Sequence, residues 1–238
     1  MIFKIQKKII SCIQYFIYNN TLNISGYYSK AKTAKILNSK INVSPNAKLI
    51  IADNVEIQNV DITILKGELI IGSNTSLISG DKENNSTIYI SDGSLNIGDH
   101  CVIKADFSVR FGGKCTIGSY TGIMENSEIR CDEFIEIGDY NMISYECMIY
   151  DTNTHSIYSK DKRREMTKLD FPAIGREHEK PITQPVKIGN DCWIGKRAAI
   201  LKGVTIGDES VVGALAVVTK NVDKNMMCYG NPAVCKAR

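Results

Sequence analysis

GNDCWIGKRAAILKGVTIGDESVVGALAVV, residues 189–218, is the stretch whose spacing decides the fold. Counted in sixes from the preceding residue, Ile188, Ile194, Ile200, Ile206, Val212 and Val218 fall in one register. A helix repeats every 3.6 residues and an ordinary strand every two, so neither accounts for a period of six. A chain that makes a short strand and a corner in each hexad does account for it. One branched aliphatic per hexad points inward, and Gly, Asn or Asp follows at the corner, where positive φ or a crowded backbone favours them. Three hexads then close a triangular coil, and stacked coils bury a continuous ladder of Ile and Val.

The same signal extends along the chain. Ile-Gly pairs recur at Ile71, Ile97, Ile117, Ile137, Ile188, Ile194 and Ile206, and the intervals from Ile97 to Ile117 to Ile137 are each one coil long. Ile117, Ile123 and Ile129 form a further run of sixes, as do Ile137, Ile143 and Ile149. From about Val43 to Tyr89 the pattern is looser but still alternates, which predicts less regular coils. GDKENNS at 80–86 reads as an exposed corner loop. The largest interruption is 151–185, polar, charged and holding three prolines, Pro172, Pro181 and Pro185. A long loop leaving a rigid scaffold usually carries function.

Composition excludes several classes. With 43% apolar and 23% charged residues, the 238-residue chain is globular. A net charge of +3, with no basic patch interleaved with aromatics, excludes nucleic acid as a partner. None of the eight cysteines forms a CxxC pair, and most fall on apolar positions of the hexads. They read as small buried hydrophobes in a reducing cytosol. Residues 1–20, MIFKIQKKIISCIQYFIYNN, read as an amphipathic helix, with Ile2, Ile5 or Ile9, Ile13, Phe16 and Ile17 on one face and Lys4, Lys7 and Lys8 nearby. The apolar run is shorter than the roughly 20 residues that span a bilayer. The helix either packs against the protein or lies on a membrane surface. The expected organisation is a helix and linker over 1–30, a repeat domain over 31–225 with its excursion at 151–185, and a tail over 226–238.

The series WIG…GVTIG…VVGA…VVTK…YGNPA, beginning at Trp193, resembles the hexapeptide-repeat acyltransferases. The likeness is greatest to the sugar O-acetyltransferases of the galactoside, maltose and polysaccharide-modifying type. It covers roughly 90–235. The resemblance implies an all-β, left-handed parallel β-helix of hexapeptide repeats, assembled as a homotrimer. Active sites would lie between neighbouring subunits, with the long loop of one reaching toward the next. Acetyl-CoA would be the acyl donor, with no metal. The implied setting is surface polysaccharide or glycoconjugate synthesis. The expected location is cytoplasmic, with peripheral contact to the inner face of a membrane through residues 1–20 as a variant.

Acetyl transfer to an alcohol needs a base for the hydroxyl proton and a donor for the developing oxyanion. Imidazole suits the first role, and there are three histidines. His100 sits in a corner turn and His178 among loop charges. His155, in DTNTHS at the root of the excursion, occupies the position at which the family carries its general base. Asp151 or Asn153 could hold one ring nitrogen, and Asp151 could equally cap a turn. By the same resemblance Asn126 and the lone tryptophan, Trp193, meet the acceptor. The backbone at Gly195 and Lys196 meets the acyl end of the donor. Gly213 and Ala214 allow the pantetheine arm close to the coils. Thr219 and Lys220 reach the nucleotide end, with Lys220 supplying charge for phosphate. The tail PAVCKAR departs from the family's usual placement of a basic residue, leaving Lys236 and Arg238 as substitutes. Zinc carbonic anhydrases, which share the scaffold, need a close histidine trio that these spacings do not give. N-acetylation of a nucleotide-linked aminosugar and a non-catalytic scaffold remain as alternatives.

Overall fold

A computed structural model of the chain describes residues 20–79 and 85–238. The expected N-terminal helix, within 1–19, and most of the 80–86 loop lie outside the described residues. The rest is a parallel β-solenoid. Each coil runs through three short strands on three faces of a prism, and each strand pairs in parallel with its counterpart one coil away. In one coil these strands are Gly122–Ile123, Glu128–Cys131 and Phe134–Ile137; in the next they are Met142–Ile143, Met148–Tyr150 and Val186–Ile188. We call them the first, second and third faces. In the earlier coils the second and third faces are continuous, because the 12-residue strands Lys40–Ile51 and Val60–Ile71 bend across the corner between them. This joins both faces into one 15-stranded sheet beside the 10-stranded sheet of the first face.

The period of six becomes three vertical columns. On the third face Ile71, Ile97, Ile117, Ile137, Ile188 and Ile206 are direct partners from coil to coil. On the first face Ile123, Ile143, Ile194 and Val212 stack likewise, and on the second Ile129, Ile149, Ile200 and Val218. All of them are at most 2% exposed. Burying each such side chain contributes about 1.5–3 kcal/mol, so the interior column is the chief source of stability.

The corners separate two demands that the sequence pattern had merged. The glycine after each third-face isoleucine is required by crowding. A Cβ on Gly118 would lie 2.4 Å from Asp139 Oδ1 and 2.5 Å from the carbonyl carbon of Gly138. Positive φ falls two positions later, at Asn74, His100, Tyr120, Tyr140, Asp191 and Glu209. Only some of these are the expected Asn or Asp. Ring stacking supports several of the others: His100 lies 4.7 Å from Tyr120, and Tyr120 lies 4.9 Å from Tyr140, all nearly parallel.

The coils begin earlier than expected. Thr21–Ile24 and Tyr27–Lys30 pair in parallel with Lys40–Ile51, so residues ahead of the boundary at 31 already belong to the stack. At the other end, Met226–Tyr229 and Val234–Ala237 form an antiparallel hairpin in which Cys228 and Cys235 are disulfide-bonded. The expectation that cysteines are reduced core residues therefore needs correction for this pair, because the antiparallel register sets the two opposite each other. It describes Cys101, Cys115, Cys131, Cys147 and Cys192, which are buried and free. Burial pushes the thiols of Cys101, Cys147 and Cys192 up, which leaves them unreactive.

The excursion leaves after Tyr150 and returns at Val186 without disturbing the stack, since Ile137 and Ile188 remain direct partners across it. Its neck is pinned by a Thr152–Thr183 bridge and by Asn153 N–H donating to the Ile182 carbonyl at 3.0 Å. It carries one helix, α1 (Lys160–Asp170), which the sequence reading did not anticipate. Ser159 Oγ caps it by accepting from Lys162 N–H, with Asp161 in the first turn and Lys168 in the last. The helix buries no residue, so it has no apolar period to betray it. Among the described residues no helix is long and apolar enough to cross a membrane.

Candidate active site

The neck of the excursion aims His155 outward. Thr154 takes a left-handed conformation (φ 63°), its N–H donating to Thr152 Oγ1 at 3.0 Å, and His155 N–H then donates to the Asn153 carbonyl at 2.7 Å. This sharp turn leaves the imidazole more than half exposed, at 58%. Nδ1 lies 3.0 Å from Glu177 Oε2, and the Glu177 side chain is only 4% exposed. The Tyr158 hydroxyl donates to Glu177 Oε1 at 3.0 Å, with Glu179 Oε2 at 3.3 Å. A carboxylate can only accept from the ring, so Nδ1 carries the hydrogen and Nε2 is left as the basic nitrogen. Gly175 (φ 86°) turns the chain past the ring, its missing Cβ 3.9 Å from His155 Cε1. A cavity of about 740 Å³ opens here between the neck, α1 and the return segment.

The orienting group expected near His155 was Asp151 or Asn153, and the structure assigns neither to that role. Asp151 is fully buried and points into the prism. Its Oδ1 accepts from Asp132 N–H at 2.8 Å, and its Oδ2 accepts from Glu133 N–H at 2.8 Å and Phe134 N–H at 2.7 Å. It caps the corner of the neighbouring coil. Burial raises its pKa, and the three N–H donors oppose that rise. Asn153 contributes its main chain to the neck, and its side chain is exposed. Glu177 was missed because it lies 22 residues along a charged loop, where spacing gives no clue. Among the other histidines, His178 Nε2 pairs with Asp170 Oδ2 at 2.8 Å and ties the return segment to the end of α1. His100 is spent in the corner ladder.

The remaining expected residues fall on other edges of the prism. Asn126, Gly195, Lys196, Gly213 and Ala214 line the corner between first and second faces. Asn126 (φ 60°) sits there exposed, one coil from Glu146. Trp193 is 52% exposed on the adjoining first face, between Met142 and Val211. Thr219 and Lys220 are exposed at the corner between second and third faces, as is the root of the excursion with His155. One chain therefore does not bring its own Asn126 and Trp193 to its own His155.

Two details of the donor end differ from expectation. Gly195 N–H donates to the Val212 carbonyl at 2.7 Å, so it is not available to an oxyanion, whereas no group of the described residues takes the Lys196 N–H. The Lys196 ammonium is held 3.0 Å from Glu146 Oε1, and Arg197 Nε reaches the other oxygen at 2.5 Å. Gly195 is required by packing, since a Cβ there would lie 2.6 Å from Ala214 N. Of the two tail cations, Arg238 donates to the Glu209 carbonyl at 3.3 Å, and the Lys236 ammonium sits over the Tyr229 ring. Among the described residues no group of three or more His, Cys, Asp or Glu is placed to hold a metal ion.

Comparison with known proteins agrees with the coil stack. The family model described as bacterial transferase hexapeptide (six repeats) matches residues 185–220. Galactoside O-acetyltransferase of Lactococcus lactis subsp. lactis is 33% identical over 144 residues, 60% of this chain and 62% of that protein. The putative colanic acid biosynthesis acetyltransferase WcaF of Escherichia coli is 30% identical over 138 residues, 58% of this chain and 66% of that one. The chain thus matches less than two-thirds of the length of either relative. The crystal structure of the polySia specific acetyltransferase NeuO shares the fold, with a TM-score of 0.54 at 19% identity over 92% of this chain and 80% of that one. By its hexads, its stacked coils and these relatives, the chain is similar to the hexapeptide-repeat transferases, most specifically over residues 185–220.

Proposed function

We propose that the chain transfers an acetyl group from acetyl-CoA to a sugar hydroxyl, with His155 as general base at a seam between subunits. The observation that carries this reading is the His155–Glu177 pair, a buried carboxylate on Nδ1 that leaves Nε2 as the basic nitrogen of a ring lining a cavity. The relatives named galactoside O-acetyltransferase support the acetyl group and the sugar hydroxyl as acceptor.

In the proposed step Nε2 takes the acceptor hydroxyl proton as oxygen attacks the thioester carbonyl. Glu177 stabilises the imidazolium that forms. The Lys196 N–H is the main-chain group offered to the oxyanion. Collapse breaks the carbon–sulfur bond, and the leaving thiolate recovers the proton from the ring. The acyl group ends on the sugar, and CoA leaves as the thiol.

Two observations support a homotrimeric seam. The candidate residues occupy separate corners of one prism, so a neighbour must supply Asn126 and Trp193. The excursion also exposes Ile157, Leu169, Phe171, Ile174 and Ile182 at 62–91%, a set of apolar side chains suited to cover by a second copy. The test is thiol release from acetyl-CoA against a panel of sugars, nucleotide sugars and glycans. His155→Ala is expected to lower the rate by about 10²–10⁴-fold. Unchanged turnover, or a monomer in solution that is fully active, would sink the reading.

A further inference from the structure

The cavity beside His155 is unusual for the charges that line it. Seven arginines occur in the chain, and the four outside the excursion are all used by the protein itself. Arg110 makes two bonds to Asp132, Arg130 pairs with Glu128, Arg197 pairs with Glu146, and Arg238 binds a backbone carbonyl. The three on the excursion, Arg163, Arg164 and Arg176, make no side-chain hydrogen bond or ion pair with any described residue. All three line this one cavity, together with Lys168.

The carboxylates present do not neutralise them. Asp170 is taken by His178 and Glu177 by His155. The acidic residues elsewhere on α1, Asp161 and Glu165, are not among the cavity's lining groups. Arg164 and Lys168 stand four residues apart on α1, a like-charge spacing that disfavours the helix. Nothing in the fold accounts for this arrangement. A planar guanidinium matches a carboxylate or phosphate with two parallel bonds, and several such forks converging on one cavity form a receptor for an anion. A neutral sugar needs none of them.

The geometry points to an acidic acceptor: the cavity beside His155 binds a glycan that carries carboxylate or phosphate groups, through Arg163, Arg164 and Arg176. This rests on the reading of His155 as the base, because the anion would be held beside Nε2. It assigns to the excursion the choice of substrate charge, apart from the chemistry.

The experiment uses the full chain. Acetyl-CoA turnover is measured with trigalacturonate as the carboxylate probe, glucose 1-phosphate as the phosphate probe and maltotriose as the neutral control. Binding of each probe is measured separately by calorimetry at low and high salt. An anionic probe is expected to bind about tenfold or more tightly than maltotriose, and to weaken as salt is raised. Whichever of the two binds more tightly identifies the charged group.

Arg164→Gln combined with Arg176→Gln is expected to raise KM and Kd for that probe by about 10- to 100-fold. The melting temperature and the KM for acetyl-CoA should stay unmoved, since these side chains have no partner in the fold. A preference for maltotriose would overturn the proposal. So would a double variant that binds the anion unchanged, or one that raises only the KM for acetyl-CoA and so assigns the cations to the donor's phosphates. If no probe is acetylated, the transferase reading fails while calorimetry still decides whether the cavity binds anions.

Discussion

The coils and the excursion are built on opposite principles. In the coils every residue answers to the one a coil away. Ile137 rests on Ile117 and under Ile188, and a Cβ on Gly138 would lie 2.5 Å from Asn190 Oδ1. In the excursion α1 buries nothing, five large apolar side chains are exposed, and three arginines have no side-chain partner among the described residues. The first region spends its residues on stability, and the second presents them to something outside the chain. The ladder runs past the excursion, with Ile137 and Ile188 direct partners across it, so the excursion holds an exposed imidazole and a cavity lined by cations at little structural cost.

The contrast is tested most severely at a glycine of the stack. Gly93 has φ 139°, and a Cβ there would lie 2.2 Å from the Gly113 carbonyl oxygen. Gly93→Val is expected to abolish the cooperative melt seen by circular dichroism, because neither the backbone nor the neighbouring coil can yield. A variant with residues 156–180 replaced by a short Gly-Ser linker should melt near the wild-type temperature and show no transfer. A large loss of stability in that deletion would break the comparison.

Ile137→Ala comes next, with an expected loss of about 2–5 kcal/mol in chemical denaturation, from buried methyl groups and the cavity they leave. Asp151→Ala and Glu177→Gln sharpen the comparison at the boundary itself. Asp151→Ala strands the buried Asp132 N–H at a cost of about 1–3 kcal/mol, and the part-buried N–H groups of Glu133 and Phe134 at less. It should appear in the denaturation midpoint, with little effect on kcat in the protein that remains folded. Glu177→Gln should do the reverse. The melt stays within a degree or so, while turnover falls by about 10²-fold, inside the range general-base catalysis commands. A loss of stability without a loss of rate would make Glu177 a loop staple only.

The smallest effect is expected at Glu146, half-buried at the surface between Arg197 and Lys196. Arg197 first, then Lys196, holds its carboxyl below the ordinary value of 4.5. A carboxyl whose pKa is lowered by folding adds stability above its unfolded value and loses it as pH falls through the folded one. The wild-type melting temperature should therefore decline slightly more than that of Glu146→Gln between pH 7 and pH 4. Screening at the surface keeps the difference near the limit of measurement.

What could be read in the residues was what repeats. The six-residue register from Ile188 to Val218 gave the coil, its inward column and the point where the excursion leaves and returns, because each of these follows from local spacing. His155 was legible through its place at the root of that break and its likeness to a family. The Glu177 partner, the helix at 160–170 and the cavity of unpaired arginines were not legible. Each depends on how a non-repeating loop folds back on itself, and no period along the chain encodes a contact 22 residues away. Asp151 shows the converse error, since nearness in sequence suggested the imidazole while the turn of the coil carried its carboxylate to the backbone of Asp132, Glu133 and Phe134. Sequence alone determined where the strands stack, because hydrophobic burial reads composition at fixed intervals; the tertiary structure decided which charges meet, because that depends on the path of the chain between them.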